Sequence, residues 1–77
     1  MEIRYGTLTQ VFPDRNFFFI RDDETSRDIF THVSGFAGKV ALAKGTRVRF
    51  RVVPNSRRRD ELMAVAVEPV EVSAVKQ

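Results

Sequence analysis

The chain contains no cysteine, so it can form neither a disulfide framework nor a thiolate metal site. Its one histidine, His32, excludes a histidine-rich zinc centre. No apolar run is long enough to span a bilayer, and the N-terminal segment MEIRYGTLTQ lacks the charged and apolar regions of a signal peptide. We therefore expect a cytoplasmic protein with no membrane partner. At 77 residues there is room for one domain with a thin core, because folding at this size buries only about 60% of the unfolded chain's surface. Aromatic rings left in water are then a loss of stability that function has to explain.

Acidic residues are missing from one region. Between Lys44 and Arg59 the chain carries Lys44, Arg47, Arg49, Arg51, Arg57, Arg58 and Arg59 with no carboxylate among them. The acids gather instead at Asp22, Asp23, Glu24 and Asp28 and near the C-terminus. The formal net charge is only +3, so it is the segregation that suggests a surface for a polyanion. A merely solvated strand face accounts for the charges equally well.

What is present is mostly alternation of period two, which reads as strands. The first runs from about Ile3 to Val11 and stops at the turn signal Pro13-Asp14. The second covers Asn16–Arg21 and is followed by the acidic turn DDETS. The third covers Arg27–Val33. An irregular connection, SGFAGKVALAKG, follows, with a short helical turn and Leu42 as its expected anchor. The fourth strand, TRVRFRVV, turns Val48, Phe50 and Val52 inward and Arg47, Arg49 and Arg51 outward. PNSRRRD reads as an exposed loop, and ELMAVAVEPV as a fifth strand whose faces its small apolar residues leave undecided. Five short strands without a convincing helix favour a small antiparallel barrel, since closure removes edges that nothing else covers. Gly6 fits a sharp bend in such a sheet. We take residues 1–70 as the domain and 71–77 as a tail or linker, and the chain could equally form the N-terminal part of a larger protein.

RNFFFIRDD, residues 15–23, sets three phenylalanines in a row. Successive side chains on a strand point to opposite faces, so Phe17 and Phe19 share one face and Phe18 the other. On DIFTHV, residues 28–33, Phe30 and His32 share a face, with Ile29, Thr31 and Val33 opposite. A hairpin of the two strands sets Phe17, Phe19, Phe30 and His32 side by side, with Arg15 at the rim. Flat rings with a basic border suit unpaired bases, each stacking for about 1–3 kcal/mol. No nucleophile–base pair or phosphate-cradling loop is present, so we expect no enzyme and no cofactor. His32 is read as a stacking or hydrogen-bonding group, not a catalytic base. Asp28 either accepts a base amino hydrogen or caps the DDETS turn, and the turn has the better claim. Arg57 and Arg58 are placed on phosphates.

These segments resemble the cold-shock domain family. That family's first ribonucleoprotein motif reads Lys-Gly-Phe-Gly-Phe-Ile, matched at Arg15, Phe17, Phe19 and Ile20. The second reads Val-Phe-Val-His-Phe, matched by Ile29, Phe30, Thr31, His32 and Val33. Gly6 and Leu8 resemble the family's first strand, and Leu42, Gly45, Val48 and Phe50 its Leu-x-x-Gly-x-x-Val-x-Phe. The likeness covers about residues 5–68. It implies an all-β, five-stranded antiparallel Greek-key barrel of the OB-fold, cold-shock type. It also implies binding of single-stranded RNA or DNA, with RNA placed ahead and little sequence specificity, by a monomer. A divergent protein-interaction module, or a homodimer, is the alternative.

The departures from the family carry expectations of their own. Gln10-Val11-Phe12 stands where the family has Trp-Phe-Asn, so Phe12 supplies a ring only if a bulge turns it outward. Val33 replaces the last aromatic of the second motif and falls at the platform edge, while Phe36 aligns with a core position. Asn16 replaces a glycine and tolerates a left-handed backbone. Phe18 replaces another, and its ring is expected to fill the barrel opposite Ala64 or Ala66.

Overall fold

A computed structural model describes residues 3–55 and 57–70, with backbone alone for 58–60. The proposed tail, 71–77, lies outside the described residues. Five strands make up the fold: β1 (Arg4–Phe12), β2 (Phe17–Asp22), β3 (Asp28–His32), β4 (Arg47–Asn55) and β5 (Arg58–Pro69). They close into a barrel in the order β1-β2-β3-β5-β4. All pairings are antiparallel except β3 with β5, a parallel contact at one position, Phe30 opposite Met63. Closure thus depends on a thin seam.

Alternation builds the core as expected. Phe18 and Ile20 of β2, Val48 and Phe50 of β4, and Leu8 of β1 are buried. Phe18 shares this cluster with Ala64, and its ring also meets that of Phe36, 5.1 Å away. One large ring fills the space that a small barrel otherwise leaves opposite alanine. Thr31 is a buried polar side chain, and its hydroxyl donates to the Ala64 carbonyl at 3.0 Å, tying β3 to β5. Gly6 answers close approach more than bending. A Cβ there would collide with the Arg21 carbonyl oxygen and come within 2.7 Å of Ile20 Cγ2.

Bulges set which residues face inward. In β1 the register passes from Leu8 opposite Ile20 to Gln10 opposite Phe19, leaving Thr9 as the extra residue. In β5 the shift falls between the partners of Arg49 and Arg51, where Ala66 takes a φ of 53°. That left-handed residue lets Ala64 and Val67 both point inward, which strict alternation forbids. The ambiguous faces of β5 are settled there.

Several expectations are corrected. Strand boundaries move by one to three residues, and β3 stops at His32, so Val33 opens a 3-10 turn and packs against the core instead of edging the platform. PNSRRRD is not a loop along its length. β4 continues to Asn55 and β5 begins at Arg58, because the hairpin pairs these two residues across a tight turn. Leu42 does not anchor the connection; it is 43% exposed while Val40 packs on the core.

Candidate nucleic-acid interface

The outer face of β1, β2 and β3 forms a grid. Phe12, Phe17 and His32 lie opposite one another in one row, and Gln10, Phe19 and Phe30 in the next. Phe12 reaches its row because the Thr9 bulge reverses the phase of β1, so that Val11 turns inward and Phe12 outward. The rings touch in a continuous chain: Phe12–Phe17 at 4.7 Å between centroids, Phe17–Phe30 at 5.9 Å, Phe17–Phe19 at 6.0 Å and Phe19–Phe30 at 6.1 Å. Phe17 is edge-on to Phe19 at 89° but only 31° from coplanar with Phe30. Tilted and edge-to-face arrangements of this kind are the favoured geometries of aromatic pairs. None of these rings is buried.

His32 stands exposed at the end of its row. The Ser34 backbone N–H donates to its Nδ1 at 3.1 Å, and the Ser34 hydroxyl lies 2.9 Å from the same nitrogen. A lone pair at Nδ1 places the proton of the neutral ring on Nε2. The imidazole is therefore oriented, with a donor left for a base or phosphate. Beside it a depression of about 330 Å3 is lined by Phe30, Met63, Asn55 and Arg57. The β4–β5 turn thus brings Arg57 to the platform although 25 residues separate it from His32 (57 − 32). Its backbone N–H is fixed by Asn55 Oδ1 at 2.9 Å. Arg15 is exposed at the end of the 3-10 turn joining β1 to β2, and Asn16 follows it at φ 64°. The Arg58 side chain lies outside the described residues.

Asp28 is not the cap of the DDETS turn. Asp22 is: its carboxylate accepts from the Glu24 backbone N–H at 3.3 Å and the Thr25 hydroxyl at 3.0 Å, and pairs with Arg4 at 2.7 Å. Asp22 shares the inward parity of Phe18 and Ile20, which buries it at that end of the barrel. Parity was the signal that could have separated it from its acidic neighbours. Asp28 instead faces outward, accepting from the Thr9 hydroxyl at 3.2 Å and from Arg21 Nε at 3.5 Å. A hydrogen-bonding edge of Gln10, Thr9 and Asp28 therefore borders Phe19. Sequence reasoning missed Thr9 because a bulge has no composition of its own.

The basic strand contributes less than its charges suggest. Arg47 grips Asp23 with two bonds of 2.7 and 3.0 Å, and Arg49 holds Glu68 at 2.7 Å. Hydrogen bonding to Arg47 holds the Asp23 carboxyl below the ordinary carboxylate range, and the same bond raises Arg47. Both arginines are neutralised on the wall away from the rings. Among the described residues no group of three His, Asp or Glu side chains could hold a metal ion.

Comparison with known proteins agrees with the geometry. The family described as the 'Cold-shock' DNA-binding domain matches residues 4–69. No curated protein sequence matches. Among solved structures, a chain described as "drosophila Unr CSD456" superposes with a TM-score of 0.75 at 20% identity, over 97% of this chain and 29% of that one. At such identity the likeness is one of fold, and this chain spans less than a third of that one. With the family match running through all five strands of a closed barrel, the chain belongs to the cold-shock domain family of nucleic-acid-binding modules.

Proposed function

We propose that the chain binds single-stranded nucleic acid, RNA ahead of DNA, with little sequence specificity. Bases stack on Phe12, Phe17, Phe19, Phe30 and His32, while Arg15, Arg57 and Arg58 neutralise phosphates. Gln10 and Asp28 offer hydrogen bonds to base edges beside Phe19. The observation that carries this reading is the unbroken contact of four outward rings, with centroids 4.7–6.1 Å apart. A core has no use for rings on the outside of a barrel. Each base stacked on one is stabilised by about 1–3 kcal/mol whatever its identity.

The test is titration of a labelled oligouridine and its deoxy counterpart at two salt concentrations. Affinity falls as salt rises, with a log–log slope near −0.7 per phosphate contacted. Replacing Phe17 and Phe30 together by alanine weakens binding by about 2–6 kcal/mol, two rings at about 1–3 kcal/mol each. Binding unchanged by that double substitution sinks the proposal. So does a stable dimer in sedimentation that buries the same rings.

A further inference from the structure

Among the described residues the β3–β5 ladder holds one pair, Phe30 with Met63, beside the Thr31 hydroxyl bond to the Ala64 carbonyl, and the two strands part around a groove of about 750 Å3. Phe19, Asp28, Ile29 and Phe30 line it from β2 and β3, and Glu61 and Leu62 from β5. Phe19 and Phe30 belong to the platform as well, so the two surfaces are continuous. Leu62 is 50% exposed, the highest value among the exposed large apolar side chains of the described residues.

The charges lining the groove decide what it suits. Asp22 is occupied by Arg4 at 2.7 Å, and Asp28 by Arg21 at 3.5 Å. Arg27 also lines the groove and is exposed, and its guanidinium makes no hydrogen bond or ion pair among the described residues. A cation beside exposed Leu62 and the rings of Phe19 and Phe30 fits one anionic group attached to one planar group.

We infer that the groove takes one further nucleotide of a strand stacked on the platform, its phosphate on Arg27 and its base against Leu62. This rests on the function proposed above. It extends the footprint past the rings, across the seam where the barrel is only singly paired.

The test is a length series of oligouridines, three to eight nucleotides, titrated into the full chain and its Leu62→Ser and Arg27→Gln variants. Both side chains are exposed, so the fold tolerates the changes, and thermal melting checks this. The shortest oligomers bind all three proteins alike. The wild type then gains about fivefold or more, the contribution of one base, at a length where both variants have levelled off. Arg27→Gln also lowers the magnitude of the salt slope by about 0.7 for the long oligomers alone. Identical length profiles for the three proteins overturn the inference while leaving the platform reading intact. A groove that takes up peptide but whose Arg27 and Leu62 resonances ignore the longest oligomer overturns it too. No binding at any length removes both.

Discussion

Phe12 and Phe17 face each other across β1 and β2 with ring centroids 4.7 Å apart. They do so only because Thr9 is inserted without a partner three residues earlier. Without it Phe12 would point into the barrel and Val11 to solvent. A ring at this position extends the platform toward the β1–β2 turn, where Arg15 stands. Gln10, opposite Phe19, presents an amide where the family presents tryptophan.

The first prediction concerns that ring. Phe12→Ala should weaken binding of a single-stranded oligonucleotide by about 1–3 kcal/mol, the worth of one stacked base. Folding stability should change little, since Phe12 is 38% exposed. Fluorescence titration and a denaturation curve on the same samples separate the two effects. An unchanged affinity would remove Phe12 from the interface.

Gly6 admits no side chain. In Gly6→Ala the new methyl collides with the Arg21 carbonyl and closes to 2.7 Å on Ile20 Cγ2, so β1 and β2 must separate. Overpacking of this kind costs about 1–3 kcal/mol, occasionally more. Urea unfolding should show the midpoint falling by the corresponding amount, and a midpoint equal to that of the wild type would refute the contact.

Ala66 predicts the opposite sign. At φ 53° its Cβ carries a left-handed penalty of about 1–2 kcal/mol, while glycine in its place loses about 0.5–1 kcal/mol of chain entropy. Ala66→Gly should therefore be neutral or stabilising by up to about 1.5 kcal/mol, read from the same urea midpoints. A clear destabilisation would mean that the bulge lies elsewhere in β5.

The Asp23–Arg47 pair predicts a pH dependence. Hydrogen bonding to Arg47 lowers the Asp23 carboxyl from its ordinary 3.8, so the folded state binds that proton less readily than the unfolded chain. Its stabilising contribution is complete above the ordinary value and disappears as pH falls through the lowered one. Stability measured from pH 5 downward should drop more steeply for the wild type than for Asp23→Asn. Added salt should narrow the difference, because both partners are exposed. Parallel curves would show that the pair contributes nothing.

The hairpin of β2 and β3 was legible in the residues themselves. Phe17, Phe19, Phe30 and His32 stand at spacings of two, and their opposite positions, Phe18, Ile20, Ile29 and Thr31, are buried. Alternation is local, so it survives being read one strand at a time. The alternation of β4 was equally clear, yet what its arginines do was not. Arg47 meets Asp23 at a separation of 24 residues, and Arg49 meets Glu68 at 19. Which acid neutralises which base depends on which strands become neighbours. Asp22 rather than Asp28 caps the DDETS turn, and the parity it shares with Phe18 and Ile20 made that legible in the residues.

From its residues alone, this protein was bound to be a small barrel bearing aromatic rings on one outer face, because period-two patterning commits each strand to a buried and an exposed side. Tertiary structure decided the rest. Closing five short strands demanded an extra residue at Thr9 and another at Ala66. Each of these shifts moves every side chain beyond it to the other face. That is why Phe12 joins the rings, while the neighbours that closure brings to β4 leave Arg47 gripping Asp23 and Arg49 gripping Glu68 on another wall.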